Sequence, residues 1–210
     1  MPPHPPYFPY PSEVANTIYN LLFCDDASAF LARSGEEPAP WQATLASALP
    51  DLQALRTLAA DESQDGRIRY LAYQKLRYLG ESVSSRQLFG VIIEVPLAGG
   101  LDTLAAYSDG GVRYVNQSGR ISVLDDAPAM ARLVQGLFAM SQPVVNAIGP
   151  WKEARRAPPE RDNIRLTFLV SDGLYFGEGP MNVMQREPMA APIIQRATEL
   201  LQAVVAIGAR

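Results

Sequence analysis

Residues 88–124 read LFGVIIEVPLAGGLDTLAAYSDGGVRYVNQSGRISVL, and the way this stretch divides decides the fold. Four runs of strand length, Leu88–Val95, Leu101–Tyr107, Val112–Asn116 and Arg120–Leu124, are rich in β-branched and aromatic residues. They are joined by Ala98-Gly99-Gly100, Asp109-Gly110-Gly111 and Gln117-Ser118-Gly119. Asp-Gly and Ser-Gly pairs supply the positive-φ residues that tight turns between twisted antiparallel strands require. The stretch therefore predicts a four-stranded meander.

Downstream, Asp125-Asp126-Ala127-Pro128 has the form of a helix entry, with Asp126 as N-cap and proline in the first turn. Met130, Leu133, Val134, Leu137, Phe138 and Val145 then share a helical stripe, which Pro143 is expected to kink or end. Ile164–Val170 alternates cleanly, and Asp172-Gly173 turns it into a further strand, Leu174–Gly177. Residues 178–187 read as loop. A last helix from about Pro188 to Ile207 presents Ile193, Ala197, Leu200, Leu201, Val204 and Val205, and Gly208 closes it.

Upstream, residues 1–11 hold six prolines with Tyr7, Phe8 and Tyr10 between them. Such a tail samples extended polyproline geometry, either as a ligand for an aromatic-lined groove or as a tail that is mobile or laid across the body through its rings. Ser12 caps a first helix with Val14, Ile18, Leu21 and Leu22 on its apolar face, running to about Arg33. A second helical region, Trp41 to Ala60, is interrupted at Pro50, and a third spans Arg67 to Leu79. In the third, Ile68, Leu71, Ala72, Leu76 and Leu79 form the apolar side, opposite Arg69, Tyr70, Tyr73 and Arg77.

The expected fold is α+β: a six-stranded, mainly antiparallel sheet, made of a four-strand meander plus a hairpin and packed with two C-terminal helices, and an N-terminal helical layer. Residues 1–11 are the tail, 12–80 the helical layer and 87–210 the sheet domain, with 12–210 forming one body. The order meander, helix, hairpin, helix is loosely similar to profilin-like and longin-like sheets. That likeness lies in element order alone, reaches no motif and implies no function.

Composition narrows the chemistry. Of 210 residues, 48% are hydrophobic and 19% charged, the profile of a chain that folds on its own core. Residues 1–65 carry nine acids and two bases, net −7, whereas 66–210 carry sixteen bases and thirteen acids, net +3. That excess is modest for a polyanion binder, which argues against nucleic acid, and an acidic layer docking on a basic one explains it. One cysteine, Cys24, precludes an internal disulfide, and no apolar run approaches the roughly 20 residues of a membrane span. A cytoplasmic protein, soluble and without membrane contact, is the simplest expectation.

The only histidine is His4 in the tail, and the only lysines are Lys75 and Lys152. Histidine-based triads, zinc sites of Cys and His, and a phosphate-binding loop therefore lack their parts, so neither a cofactor nor a metal is expected. Adjacent acids such as Asp25-Asp26 sit where caps and linkers place them. Glu94 differs: a carboxylate inside an apolar central strand is either buried with a raised pKa or paired with an arginine such as Arg113.

The candidate binding residues fall in three groups. Trp151, Arg155 and Arg156 stand in the long connection Gly149–Asn163; connections of that length are usually functional or mobile, and a Trp pinning a crossing loop to the core is an equal reading. Tyr70, Tyr73 and Arg77 interleave on one helix, and Arg113, Asn116 and Arg120 gather near one turn. The leading expectation is a non-enzymatic protein-interaction or regulatory module whose partner is another protein, with a homodimer left open. A small-ligand sensor and a carboxylate-dependent enzyme centred on Glu94 are the alternatives.

Overall fold

The computed structural model describes residues 6–32, 37–125 and 127–208. The predicted N-cap Asp126, the helix end at Arg33 and the tail histidine His4 lie outside the described residues.

The strands are β1 (Leu88–Leu97), β2 (Gly100–Tyr107), β3 (Val112–Val115), β4 (Ile121–Leu124), β5 (Asn163–Val170) and β6 (Gly173–Pro180). They form one antiparallel sheet in the order β4-β3-β2-β1-β5-β6. Gly110 and Gly119 carry φ of +92° and +82°, the positive values expected of the two hairpin turns. β6 is longer than predicted and absorbs Glu178, Gly179 and Pro180, because the whole of β5 is available to pair with it.

Helices cover both faces. On one side lie α5 (Pro128–Ala147) and α7 (Ala191–Gly208), packed over Leu88, Val91, Ile93, Leu166 and Phe168. Their buried stripes, Met130-Val134-Leu137-Val145 and Ile193-Ala197-Leu200-Val204, follow the predicted faces. Pro143 stands inside α5, which continues past it to Ala147. Between β6 and α7, the short α6 (Met181–Met184) occupies part of the predicted loop.

On the other side lie α1 (Glu13–Leu22), a 3-10 turn (Ala27–Phe30), α2 (Pro40–Ala46), α3 (Leu52–Ala60) and α4 (Gly66–Tyr78), over Phe89, Ile92, Ala105 and Leu169. Asp51 caps α3, its carboxylate accepting from the Gln53 amide at 2.8 Å. The start of α4 lies hard against the sheet: a Cβ on Gly66 would meet Ser108 Oγ at 2.5 Å.

Two predicted helix faces are corrected. α1 ends at Leu22, where Cys24 turns the chain with φ +52°, and it buries Ala15, Asn16, Tyr19 and Leu22 while Val14 is exposed. The polar side chains Asn16 and Tyr19 can be inward because each finds hydrogen bonds there. In α4, Arg69 and Tyr70, expected on the outer side, are buried because α4 is wedged between α3 and β1. Arg69 Nε donates to the Ala59 carbonyl at 3.1 Å and its guanidinium lies over the Phe89 ring.

Candidate functional site

Sheet register builds a polar row on the face beneath the N-terminal helices. Thr103 in β2 stands opposite Glu94 in β1, Glu94 opposite Arg165 in β5, and Arg165 opposite Glu178 in β6. All four side chains therefore point the same way from neighbouring strands. Arg165 bonds Glu178 Oε2 through Nε at 2.9 Å and Nη2 at 2.8 Å, and its Nη1 lies 3.6 Å from Glu94 Oε2. Glu94 thus pairs with Arg165 rather than with Arg113. Arg113 is two strands away, level with Ile92 in the ladder, and turns outward to Asp125 at 2.8 Å.

Glu94 is fully buried. Its Oε1 accepts from Tyr19 Oη at 2.7 Å, while Oε2 has no hydrogen-bond partner among the described residues and only the longer ionic contact. Burial raises the Glu94 carboxyl above its ordinary value of 4.5, against the opposing pull of Arg165 and the Tyr19 hydroxyl. A carboxyl that protonates more readily folded than unfolded favours folding below that ordinary value, and the advantage is lost as pH rises through the raised one. Glu94→Gln is therefore expected to flatten the decline in stability from about pH 4.5 upward, read as urea midpoints at stepped pH. Parallel wild-type and variant profiles would contradict this.

Two segments close over the row. Residues 6–11 form a strap along α1, fastened by two asparagines one helical turn apart. Asn16 accepts from the Tyr10 amide at 2.9 Å and donates to the Tyr10 carbonyl at 2.8 Å. Asn20 does the same for Tyr7 at 3.0 and 2.8 Å. Tyr10 is buried, with its hydroxyl 2.8 Å from Thr103 Oγ1, while Phe8 is exposed. The tail's described part is thus laid across the body by its rings.

The second segment is the connection between α5 and β5. Arg155 is buried there: Nε meets Asp25 Oδ2 at 2.5 Å, Nη2 meets Asn20 Oδ1 at 3.2 Å, and the guanidinium lies 4.0 Å from the centre of the Phe23 ring. Tyr7 Oη donates to the Arg155 carbonyl at 3.0 Å, tying strap to connection. Trp151 pins the connection to the sheet edge, its amide donating to the Leu174 carbonyl at 2.7 Å and its ring standing edge-on to Phe176.

Between this connection and α4 lies a cleft of about 540 Å³. Tyr70, Lys75 and Arg77 come to it from α4, and Trp151, Lys152 and Arg155 from the connection. Arg77 is anchored by donating to the Ser171 carbonyl, and it lies over the Tyr70 ring. A second hollow of about 550 Å³, between strap, α1 and the 3-10 turn, shares Asp25, Asp26 and Arg155 with the first. The Asp25–Arg155 pair is thus the divide between them.

Of the predicted binding residues, the cleft gathers Tyr70, Arg77, Trp151 and Arg155. The others lie elsewhere. Tyr73 faces Phe89 on the far side of α4, and Arg156 is exposed beside Glu178 and Phe176. Arg113, Asn116 and Arg120 belong to the β3–β4 hairpin, which three strands separate from β6, and Asn116 Oδ1 accepts from the Ser118 and Arg120 amides to hold its own turn. Sequence reasoning missed Lys75 and Lys152 as cleft residues. Their scarcity was the available signal, since both of the chain's lysines fall within the segments that carry Arg77 and Trp151. Asn16, Tyr19 and Asn20 were also missed, because a polar residue inside a helical repeat gives no sign of facing inward.

No protein-family model matches the chain, and neither the curated proteins nor the solved structures give a match. No described helix is long and apolar enough to cross a membrane.

Proposed function

We propose that the protein is a non-enzymatic interaction module that receives a segment of another protein in the cleft between α4 and the 150–155 connection. The observation that carries this reading is the cleft itself, where aromatic and cationic side chains from two separate segments face one trough. Trp, Tyr and Arg are the residue types in which binding energy concentrates at protein interfaces. Small-molecule sites bury most of their ligand, about 70–90% of its surface. This trough has Tyr78, Lys152 and Glu153 exposed on its rim, which suits a chain passing through it better than an enclosed metabolite. The enzyme reading centred on Glu94 has less support, because that carboxylate is sealed beneath Tyr19 and lines neither hollow.

Partners captured from lysate by the wild-type chain, once identified and purified, are expected to bind a Gln74→Ala, Tyr78→Ala, Lys152→Ala variant at least about tenfold more weakly. These three side chains line the cleft without belonging to the buried core, so the fold is spared. Equal affinity for wild type and variant would refute the reading.

A further inference from the structure

We infer that the segment taken by this cleft is acidic, with carboxylates flanking apolar side chains; the inference rests on the interaction reading above and names the chemistry of the partner. The chain carries a net charge of −4, yet both of its lysines line this one cleft, together with Arg77 over the Tyr70 ring. Among the described residues, no ion pair involves Lys75, Arg77 or Lys152.

The carboxylates of the cleft are differently placed. Asp25 is bound to Arg155, and Asp172 lies 3.8 Å from Arg86 and accepts from the Tyr175 hydroxyl at 2.8 Å. Asp26 accepts from the Ser28 amide and hydroxyl at 2.8 and 2.7 Å, capping the 3-10 turn. Among the described residues of the cleft two carboxylates, Asp26 and Glu153, meet no cation, so the three unpaired cations Lys75, Arg77 and Lys152 leave an excess of one positive charge. An incoming carboxylate meets charge that the fold has not compensated, and such complementarity sets both encounter rate and choice of partner.

A nucleic-acid strand is the less suitable anion. Its phosphates follow one another without interruption, and Asp26 and Glu153 would repel them, whereas carboxylates spaced by apolar residues can avoid both and fill the aromatic floor.

The test uses the full chain and three fluorescein-labelled probes: a short peptide alternating glutamate with leucine, the same peptide with glutamine for glutamate, and a short single-stranded oligonucleotide. Polarisation is expected to show the glutamate peptide binding about tenfold more tightly than the glutamine peptide, with the difference falling as salt is raised. A Lys75→Gln, Lys152→Gln variant should lose that difference. Saturating glutamate peptide should also shield both lysines from acetylation, read by mass spectrometry.

Equal binding of the two peptides to wild type overturns the acidic preference while leaving the cleft as a peptide site. Tighter binding of the oligonucleotide, or unchanged acetylation, also overturns it. If neither peptide binds, the inference fails, and the interaction reading is still decided by the rim variant and its captured partners, which assume nothing about charge.

Discussion

Replacing Arg165 by leucine is expected to destabilise the protein by about 3–5 kcal/mol, the cost of stranding a buried charge whose partner has been removed. Arg165 is 3% exposed and stands between Glu94 and Glu178, with its Nη1 also donating to the Arg156 carbonyl at 3.2 Å. Leucine fills much of the space but leaves the carboxylates of Glu94 on β1 and Glu178 on β6 flanking it, with no cation from β5 between them. Urea denaturation of Arg165→Leu, Glu94→Gln and the double variant forms the decisive cycle. Because the Glu94→Gln change leaves a neutral amide in place of the carboxylate, the double variant should recover part of the loss, giving a coupling of about 0.5–3 kcal/mol. A single-variant loss below about 1 kcal/mol would place Arg165 with ordinary surface ion pairs and refute the argument.

The second large effect is expected at Tyr10. Tyr10→Ala removes a ring that is 4% exposed and packed edge-on to Tyr19 at 5.9 Å, at a cost of about 3–5 kcal/mol, as for other buried aromatic deletions. Tyr10→Phe keeps the ring and loses only the hydroxyl's bonds, chiefly that to Thr103, at about 1 kcal/mol. The alanine variant should also loosen residues 6–11 and raise amide exchange at Tyr7, whose N–H is held by Asn20. If exchange at Tyr7 is unchanged, the strap is held by its asparagine bonds without need of the Tyr10 anchor.

These two sites and the cleft are parts of one assembly. The Tyr19 hydroxyl reaches Glu94 beneath it, with Arg155 Nη1 at 3.5 Å beside it; Arg155 in turn carries Tyr7 on its carbonyl and Asp25 on its guanidinium. The cleft's divide is therefore set by the same buried groups that hold the strap. Under the proposed interaction reading, a partner entering the cleft would meet a wall whose position depends on the polar row below.

Much of the architecture was legible in the chain. Hairpin turns announce themselves through Asp109-Gly110 and Ser118-Gly119, strands through alternation such as Ile164-Leu166-Phe168-Val170, and α5 and α7 through apolar stripes. Each is a constraint acting within a few residues, where backbone geometry and side-chain period suffice. The same logic found Leu22 of α1 and Leu71, Ala72 and Leu76 of α4 inward but missed the polar and aromatic part of those buried faces. Periodicity counts apolar residues, whereas Asn16, Tyr19 and Arg69 are inward because distant groups satisfy their polar atoms.

What the amino-acid order determined by itself was therefore the set of elements, their succession and the sign of charge each segment brings. Only tertiary structure decided the meetings: Glu94 with Arg165 rather than Arg113, Arg155 with Asp25, and Lys75 with Lys152 across one cleft. Tyr19 and Glu94 are 75 positions apart, and their contact depends on where α1 docks over the sheet. The Glu94–Arg165 pairing depends on the register of β1 against β5, and a slip of one residue would send either side chain to the opposite face. Register and docking are settled by the packing of whole layers, which no local stretch of sequence contains.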